Sequence, residues 1–382
     1  MLTACQPKSS TPAKQFEHSQ DGAFNATVSY SGKYSVVSSL YHGVSLWDVE
    51  NNALKYNWYQ TANKETFSVK GANDQSTDVD NNFVFATAIS HNDSHALLAD
   101  NTTFSIWEIT SGKNVGYWQT KRSKVVYQTK QVAGRSVQTQ LYDVIDANKC
   151  ENPVGNEVCE ITAHIRAVDI SNDGKHVLLG KSNGVVVHIN LVTGRRIEFM
   201  GHQQTLLGED GDSFHINNAI NSVSLSPNGA YALSGSSDHS AYLWDTKTGQ
   251  VIYKFQHDSR VIQVTLDPKA RFAFTADSKK QAIIWDLKTG KKISNLNYVN
   301  RQEVFSAARF SKNGEYLVTG APTRKLSLWR VRDGHQIKEW LVTPRKNTRP
   351  SSAVVYSATF INSDKQIVSE SSAGLNEVWN IN

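Results

Sequence analysis

The sequence contains little cysteine, little proline and no long apolar run. Three cysteines among 382 residues are too few for a disulfide-built scaffold or a cysteine-rich metal module. With 8 prolines and 39% apolar residues, the composition is that of a globular chain and differs from disordered or collagen-like chains. No apolar run approaches the roughly 20 residues that a membrane-spanning helix needs, which excludes transmembrane transport and channel functions.

An excess of one charge sign is also missing. The chain has 40 Lys and Arg against 35 Asp and Glu, a net charge of +5. Spread over so many residues, this charge is well short of a nucleic-acid-binding composition. We therefore expect no nucleic-acid partner.

What the sequence does contain is a repeat. A short alternating run that leads to an anchor residue occurs seven times, and in six copies a polar residue follows the anchor. The anchors are Trp47, Trp107, His188, Trp244, Trp285, Trp329 and Trp379. The shorter intervals between anchors, 41 and 44 residues, match the ~40–45-residue unit of a four-stranded propeller blade.

Turn residues and strand patterns repeat with the anchors. Six anchors are followed by a hairpin signal such as Thr248-Gly249, and glycine tolerates the positive φ of tight hairpins. The seventh unit ends the chain without an outer strand. The segment Lys14-Gln15-Phe16-Glu17-His18 resembles the outer strand that begins at Lys254. We therefore expect residues near 13–18 to pair with the last unit, which closes the ring and removes a free sheet edge.

On these residues the units resemble WD repeats from about residue 13 to the end. The resemblance implies an all-β fold for residues 13–382: a seven-bladed β-propeller of four-stranded antiparallel blades, closed by the N-terminal strand. The fourth unit is the best match, and in the family such residues form a hydrogen-bond network that braces the blade. The residues at these positions are His202, Ser234, Asp238 and Trp244. The other units depart from this pattern, and we expect them to rely on packing.

Three segments exceed the unit length. Residues 119–166 form a long insertion between the second and third units, and residues 59–82 and 203–215 are shorter polar excursions. Insertions in a propeller map to loops on a face, and loops carry function more often than blades do.

The first twelve residues form a separate segment. Leu2-Thr3-Ala4-Cys5 resembles the lipobox of bacterial lipoproteins, and the Ser, Thr and Pro residues that follow resemble a tether. The resemblance implies acylation of Cys5 and, because Gln6 follows it, anchoring in the outer membrane. Only four residues precede Cys5, fewer than an export signal needs. Either residues 1–12 include a truncated signal, because the start codon was assigned too late, or the match is accidental.

The two remaining cysteines, Cys150 and Cys159, flank a segment with the turn-forming pairs Asn-Pro and Gly-Asn. A short reversal can bring their Cα atoms within the roughly 4.4–6.8 Å that a disulfide needs. We predict a disulfide between them, which suits an oxidising compartment such as the periplasm. The alternative is two unrelated free thiols.

No catalytic constellation stands out. Gly180-Lys181-Ser182-Asn183-Gly184 matches the G-x-S-x-G nucleophile pattern, but that motif needs a strand-to-helix elbow. Here it falls in the turn between two strands, so we expect a structural role. No zinc, phosphate-loop or paired-cysteine motif is present, and we expect no metal, no cofactor and no enzymatic activity.

Basic residues gather in two sets of connections that reach the same face of a WD-like propeller. These eight residues, which we call the cationic rim, are Arg166, Arg260, Lys279, Lys280, Arg301, Arg324, Lys325 and Arg349. Arginine pairs well with carboxylate and phosphate, so we predict that the rim binds an acidic protein or envelope polymer. The alternative is an ordinary solvated surface.

Together these features favour a monomeric, non-enzymatic interaction scaffold, anchored by lipid in the periplasm. Two alternatives remain open. The first is a propeller enzyme, either a hydrolase or a quinoprotein-like oxidoreductase, with its site in the central channel. The second is a cytosolic WD-repeat regulator.

Overall fold

The computed structural model describes residues 11–39, 43–58, 84–119, 123–132, 135–144, 163–207, 213–216, 218–298, 303–345 and 352–381. These residues form 32 β-strands and no helix. None of them therefore lies in a helix long and apolar enough to cross a membrane.

The strands of the first half follow a regular order. After β1 (Lys14–Glu17), the first blade consists of β2 (Asn25–Val28), β3 (Tyr34–Ser39), β4 (Gly43–Asp48) and β5 (Ala53–Trp58). The second consists of β6 (Ala86–Ile89), β7 (His95–Ala99), β8 (Thr103–Glu108) and β9 (Asn114–Gln119). A separate hairpin, β10 (Ser123–Val132) and β11 (Arg135–Val144), precedes the third blade. That blade consists of β12 (Ile165–Ile170), β13 (His176–Lys181), β14 (Val186–Asn190) and β15 (Arg196–Phe199).

The second half repeats this order. A second hairpin, β16 (Gln204–Leu207) and β17 (Ser213–Ile216), leads to the fourth blade. The fourth blade consists of β18 (Ile220–Leu225), β19 (Tyr231–Ser236), β20 (Ser240–Asp245) and β21 (Val251–Gln256). The fifth consists of β22 (Val261–Leu266), β23 (Phe272–Asp277), β24 (Ala282–Asp286) and β25 (Lys292–Asn295). The sixth consists of β26 (Ala307–Phe310), β27 (Tyr316–Gly320), β28 (Lys325–Arg330) and β29 (Gln336–Leu341). The seventh begins with β30 (Val355–Ile361), β31 (Gln366–Ser371) and β32 (Leu375–Asn380).

The seven blades close into a ring, as the repeat predicted. Each blade is an antiparallel sheet with its strands in chain order, and the first strand of each blade contacts the first strand of the next. The series is completed by contact between β30 and β2. The fold is therefore a seven-bladed β-propeller, and these seven inner strands surround its central channel.

The N-terminal strand completes the seventh blade. β1 pairs antiparallel with β32, with Lys14 opposite Val378 and Glu17 opposite Leu375. The sheet order is β1-β32-β31-β30, so the first strand of the chain is the outer strand of the last blade. The predicted closure is confirmed, and the open edge of β32 is paired.

Burial explains why the strands of a blade differ in composition. The second strand of each blade lies between two neighbouring blades and is almost fully buried, as in β3 and β13. These strands are therefore rich in valine, leucine and alanine, like strands covered on both faces. The outer strand β21 is largely exposed, and its exposed residues are the polar Lys254 and Gln256 and the apolar Val251 and Ile252.

In six of the seven blades, a small residue lies where the second strand meets the next blade. At six equivalent positions the residues are Ser38, Ala99, Gly180, Gly235, Ala276 and Gly320. A Cβ on Gly235 would lie 2.7 Å from methyl groups of Val261 and Val264 in the next blade. The seventh position is occupied by Glu370, so the contact between the seventh and first blades is built differently.

That contact is polar and buried. Glu370 Oε1 lies 2.6 Å from His18 Nδ1, and it accepts hydrogen bonds from Ser35 Oγ at 2.7 Å and Asn376 Nδ2 at 2.9 Å. The His18 ring also stacks on Trp47, with 4.4 Å between the ring centres. We call His18, Ser35, Glu370 and Asn376 the closure cluster, because it joins the N-terminal segment to both ends of the ring.

The insertions contain more structure than the predicted loops. Part of residues 119–166 forms the β10–β11 hairpin, and part of residues 203–215 lies in the β16–β17 hairpin. β11 lies against β17. The polar composition of these segments hid their strand pairing, because apolar alternation is the main sequence signal for a strand.

Candidate functional site

Seven equivalent residues surround the mouth of the central channel at the face where the inner strands begin. In each blade, one residue of the inner strand pairs with the second-strand position described above, which is small in six blades and Glu370 in the seventh. The residue just before that inner-strand residue in the chain belongs to this set. We call them the collar residues: Phe24, Phe85, Arg166, Asn221, Ile262, Ser306 and Tyr356. Four of them, in the third, fourth, fifth and seventh blades, lie at β-bulges, which reorient side chains at sheet ends.

The collar is aromatic on one side. Phe24 and Phe85, in the first and second blades, are 42% and 43% exposed. Tyr356 in the adjacent seventh blade lines the channel, and burial raises the pKa of its hydroxyl. Arg166, in the third blade, is exposed and continues the same arc. Large exposed aromatic rings beside an arginine are typical of protein-binding surfaces.

The cationic rim is smaller than the sequence predicted. Arg166, Arg260, Lys279 and Lys280 are exposed. The two sets of connections do lie side by side, since the Ser278 amide donates to the Arg260 carbonyl at 3.0 Å. Arg301 and Arg349 lie outside the described residues.

Two other rim residues have partners of their own. Lys325 Nζ lies 3.3 Å from Glu303 Oε1 and 3.4 Å from Glu339 Oε2. Arg324 Nε donates to the Val342 carbonyl at 2.8 Å. Lys325 is thus an internal ion-pair residue rather than an exposed rim cation. Its carboxylate partners come from other parts of the blade, which the local sequence did not reveal.

The channel holds a polar cavity of about 170 Å³. Among its lining residues are Thr27, Ala88, Asp169, Ser224, Thr265 and Arg309, which occupy equivalent positions on six inner strands. Asp169 and Arg309 are the charged members of this set. They belong to the third and sixth blades and therefore face the channel from nearly opposite sides.

Three side chains are packed together at the end of the channel where the inner strands finish. Tyr30 reaches across from the first blade, and its hydroxyl donates to the Phe310 carbonyl at 2.8 Å. Its ring lies 4.7 Å from the ring of His91 and 5.5 Å from the Arg309 guanidinium carbon. Burial and then the charge of Arg309 lower the pKa of His91 to about 4, so the imidazole is neutral at pH 7.

Asp169 is held by backbone amides. Its carboxylate accepts hydrogen bonds from the Leu225 amide at 2.7 Å and the Ile170 amide at 2.8 Å. Burial raises the pKa of Asp169 to about 6 despite these bonds. The carboxylate is therefore ionised at pH 7 and joins the third blade to the fourth.

The described part of the chain contains no group of three or more His, Cys, Asp or Glu side chains placed to hold a metal ion. Ser182 lies in the turn between β13 and β14, where its amide donates to the His164 carbonyl at 2.8 Å. It is therefore on no strand-to-helix elbow.

The bracing residues of the fourth blade are joined as the resemblance implied. Trp244 Nε1 donates to Ser234 Oγ at 2.9 Å, Ser234 Oγ lies 2.8 Å from His202 Nε2, and His202 Nδ1 lies 2.8 Å from Asp238 Oδ2. The carboxylate can only accept when ionised, which assigns a proton to Nδ1 of His202; in the neutral imidazole, Nε2 then accepts the serine proton. Burial acts to raise the pKa of Asp238, but hydrogen bonds led by His202 outweigh it and lower the pKa.

The expectation that the other blades rely on packing is wrong for three of them. In the fifth, sixth and seventh blades the anchor indole donates to a hydroxyl ten residues earlier in the chain, at 2.7, 2.8 and 3.0 Å. The acceptors are Thr275, Thr319 and Ser369. Thr275 and Thr319 supply the same hydroxyl as serine, so these three blades keep the tryptophan–hydroxyl part of the network.

Three further predicted residues, Cys5, Cys150 and Cys159, lie outside the described residues. Their acylation and disulfide pairing stay predictions.

Comparison with known families agrees with the geometry of the fourth blade. Residues 212–245 match the family model described as WD domain, G-beta repeat, a range that includes β18, β19 and β20. None of the curated proteins is significantly similar to the chain. The matched repeat and the ring of seven four-stranded blades together support a WD-repeat β-propeller, with the WD repeat itself matched in the fourth blade.

Proposed function

We propose that the protein is a non-enzymatic interaction scaffold that docks a partner protein on its collar. WD-repeat propellers commonly have this role, and a closed ring of blades presents its loops on a support that barely deforms. The observation that carries the proposal is the pair of exposed rings, Phe24 and Phe85, at equivalent positions of adjacent blades. Exposed aromatic residues that recur beside a channel mouth are more typical of a binding surface than of isolated surface residues.

The charge around the collar defines the kind of partner. The aromatic arc of the seventh, first and second blades is followed by Arg166 in the third, and Arg260, Lys279 and Lys280 lie in the fifth. A partner that presents apolar side chains next to carboxylates would match both arcs. Such complementarity fixes orientation and speeds association. We therefore propose an acidic, envelope-associated protein as the partner of a monomeric propeller.

Reversing rim charges should weaken partner binding at least tenfold. In the variant Arg166→Glu/Arg260→Glu, the collar would repel carboxylates, and the rim would lose donors that pair with them. The measurement is the quantity of each protein that the tagged chain captures from Gram-negative envelope extracts. Phe24→Ala/Phe85→Ala should lose the same proteins, because it removes the aromatic contacts.

A matched control separates the effect of charges on the collar face from the effect of the change in net charge. Lys113→Glu/Lys288→Glu makes the same charge change at exposed positions in the hairpin turns of the opposite face, and it should capture the same proteins as the native chain. If both collar variants capture them at native levels, the collar is not the docking surface.

We further propose that the propeller is attached to the periplasmic side of the outer membrane through acylated Cys5. The lipobox-like Leu2-Thr3-Ala4-Cys5 and the polar residues after it support this location. Two or more acyl chains are sufficient for stable anchoring. The tether then ends at Lys14, where β1 begins.

Cys5→Ser should abolish acylation. In Gram-negative cells that express the protein from its genomic locus, a palmitate analogue should label the native chain and leave Cys5→Ser unlabelled. The control Cys150→Ser should keep the label, because Cys150 lies outside the lipobox-like segment. A native chain that takes up no palmitate would refute the anchor.

A further inference from the structure

The central channel contains a cation that the protein leaves largely unpaired. Arg309 projects from β26 into the cavity. Its single protein hydrogen bond runs from Nη1 to the Val28 carbonyl at 2.8 Å. Among the described residues, Asp169 and Asp93 act on it electrostatically, but neither forms an ion pair with it. A guanidinium has five N–H donors and stays charged in proteins. Most of its donor capacity is therefore unused by the protein.

The position of Arg309 makes this arrangement costly. The side chain is deep enough in the molecule for burial to lower its pKa. Buried charges in proteins are normally paired or held in hydrogen bonds, since removing a charge from water costs several kcal/mol. Its equivalents on five other inner strands are Thr27, Ala88, Ser224, Thr265 and Thr359, so the fold has no need of a cation at this level.

The surroundings hold the guanidinium in a fixed orientation. The Tyr30 ring lies beneath it at 5.5 Å and is fixed in turn by the hydrogen bond to Phe310 and by the neighbouring His91 ring. A guanidinium with one edge bound to a carbonyl and one face on an aromatic ring keeps its remaining N–H groups in a defined direction. Such a planar fork matches a carboxylate or phosphate.

We propose that the channel is a binding site for a small free oxyanion, a carboxylate or phosphate group, with Arg309 as its principal ligand. The cavity of about 170 Å³ has room for an anion of this size, since about 10–15 Å³ of such volume already holds a water molecule. Asp169, at the same level on the opposite side of the channel, opposes binding of a second negative charge. Ser306 and Tyr356 of the collar also line this cavity, but oxyanion binding by Arg309 does not depend on the docking function proposed above.

Binding of inorganic phosphate and of succinate tests the proposal directly. Titration calorimetry at pH 7.5 and constant ionic strength should detect one site per chain. Arg309→Met should weaken binding at least tenfold, because it removes the charge and the donors. Asp169→Asn should strengthen binding several-fold, because it removes the opposing charge. The control Lys312→Met removes an exposed charge three residues from Arg309 and should change affinity less than twofold.

Stability supplies a second readout. A buried cation that serves ligand binding should destabilise the protein when no ligand is bound. In anion-free buffer, Arg309→Met should therefore unfold at the same temperature as the native chain or at a higher one. If Arg309→Met does not fold, the anion affinity of Asp169→Asn tests the proposal instead. Failure of the native chain to bind either anion, or unchanged affinity in both variants, would overturn the proposal. The proposal would also be overturned if Arg309→Met reduced only the capture of protein partners and left binding of the free anions unchanged. The oxyanion would then be a carboxylate of the partner protein.

Discussion

Glu370→Leu is expected to lower the free energy of unfolding by about 3–5 kcal/mol, because it leaves several buried polar groups without their shared hydrogen-bond acceptor. The variant leaves His18 without its acceptor in a region where both side chains are fully buried. Ser35 and Asn376 lose the same acceptor. Because this cluster joins the N-terminal strand to both ends of the ring, the loss should open the seventh blade. Urea unfolding followed by tryptophan fluorescence measures the change.

Two further variants separate the closure cluster from a general effect on β1. Glu17→Gln alters an exposed carboxylate of the same strand and should shift stability by less than about 0.5 kcal/mol. The double variant His18→Phe/Glu370→Leu replaces the pair with apolar groups and keeps a ring on Trp47. It should recover much of the loss, because an apolar replacement removes both desolvation costs. A Glu370→Leu protein as stable as the native chain would show that the cluster does not hold the ring.

Acidification from pH 7.5 to 5 is expected to destabilise the protein by several kcal/mol. Burial is the main factor that lowers the pKa of His91, His188 and His257, each to about 4, whereas unfolded histidine titrates near 6.5. Below pH 6.5 these histidines therefore bind protons in the unfolded chain but not in the folded chain. The stability that the neutral histidines contribute is fully present above pH 6.5 and is lost as the pH falls towards 4. At pH 5 each histidine contributes a loss of about 2 kcal/mol, or about 6 kcal/mol for the three.

Asp169 acts in the opposite direction. Its pKa is raised to about 6, so its ionised form destabilises the fold above that pH and protonation restores about 1 kcal/mol by pH 5. The net loss should be about 4–5 kcal/mol. Urea midpoints at the two pH values provide the measurement.

His188→Trp is the matched variant for the acid effect. Tryptophan occupies the anchor position in the other six units, so the third blade can accommodate the ring. The variant should lose about 2 kcal/mol less than the native chain at pH 5. Equal stability of the native protein at pH 5 and pH 7.5 would contradict the assignment of buried neutral histidines.

Much of the fold could be predicted from local residue patterns. The anchor tryptophans mark the third strands, and glycines such as Gly249 and Gly290 adopt the positive φ, 76° and 70°, that the hairpins after them require. These signals lie within a few residues of each other, and period-two alternation needs no knowledge of the rest of the molecule. The likeness of the N-terminal segment to an outer strand was enough to predict closure of the ring.

The charged residues of the channel were present in the same patterns but were missed. Aligning the units by their anchors places Asp169 and Arg309 where other inner strands carry alanine, serine or threonine. The same alignment places Glu370 and Asn376 at positions that are small or apolar in the other blades. A departure from the repeat, rather than agreement with it, was the available signal for both the channel site and the closure cluster.

The sequence by itself determined the repeating unit, the number of blades and the strand that closes them, because all three depend on short-range alternation and turns. Only the tertiary structure decided which charges meet. Glu370 meets His18 across 352 residues of chain, and Arg309 reaches Val28 across 281. Lys325 finds two carboxylates that the rim prediction had not considered. Pairings of this kind are set by the curvature of the closed ring, which brings strands from opposite ends of the chain together and has no counterpart in local sequence.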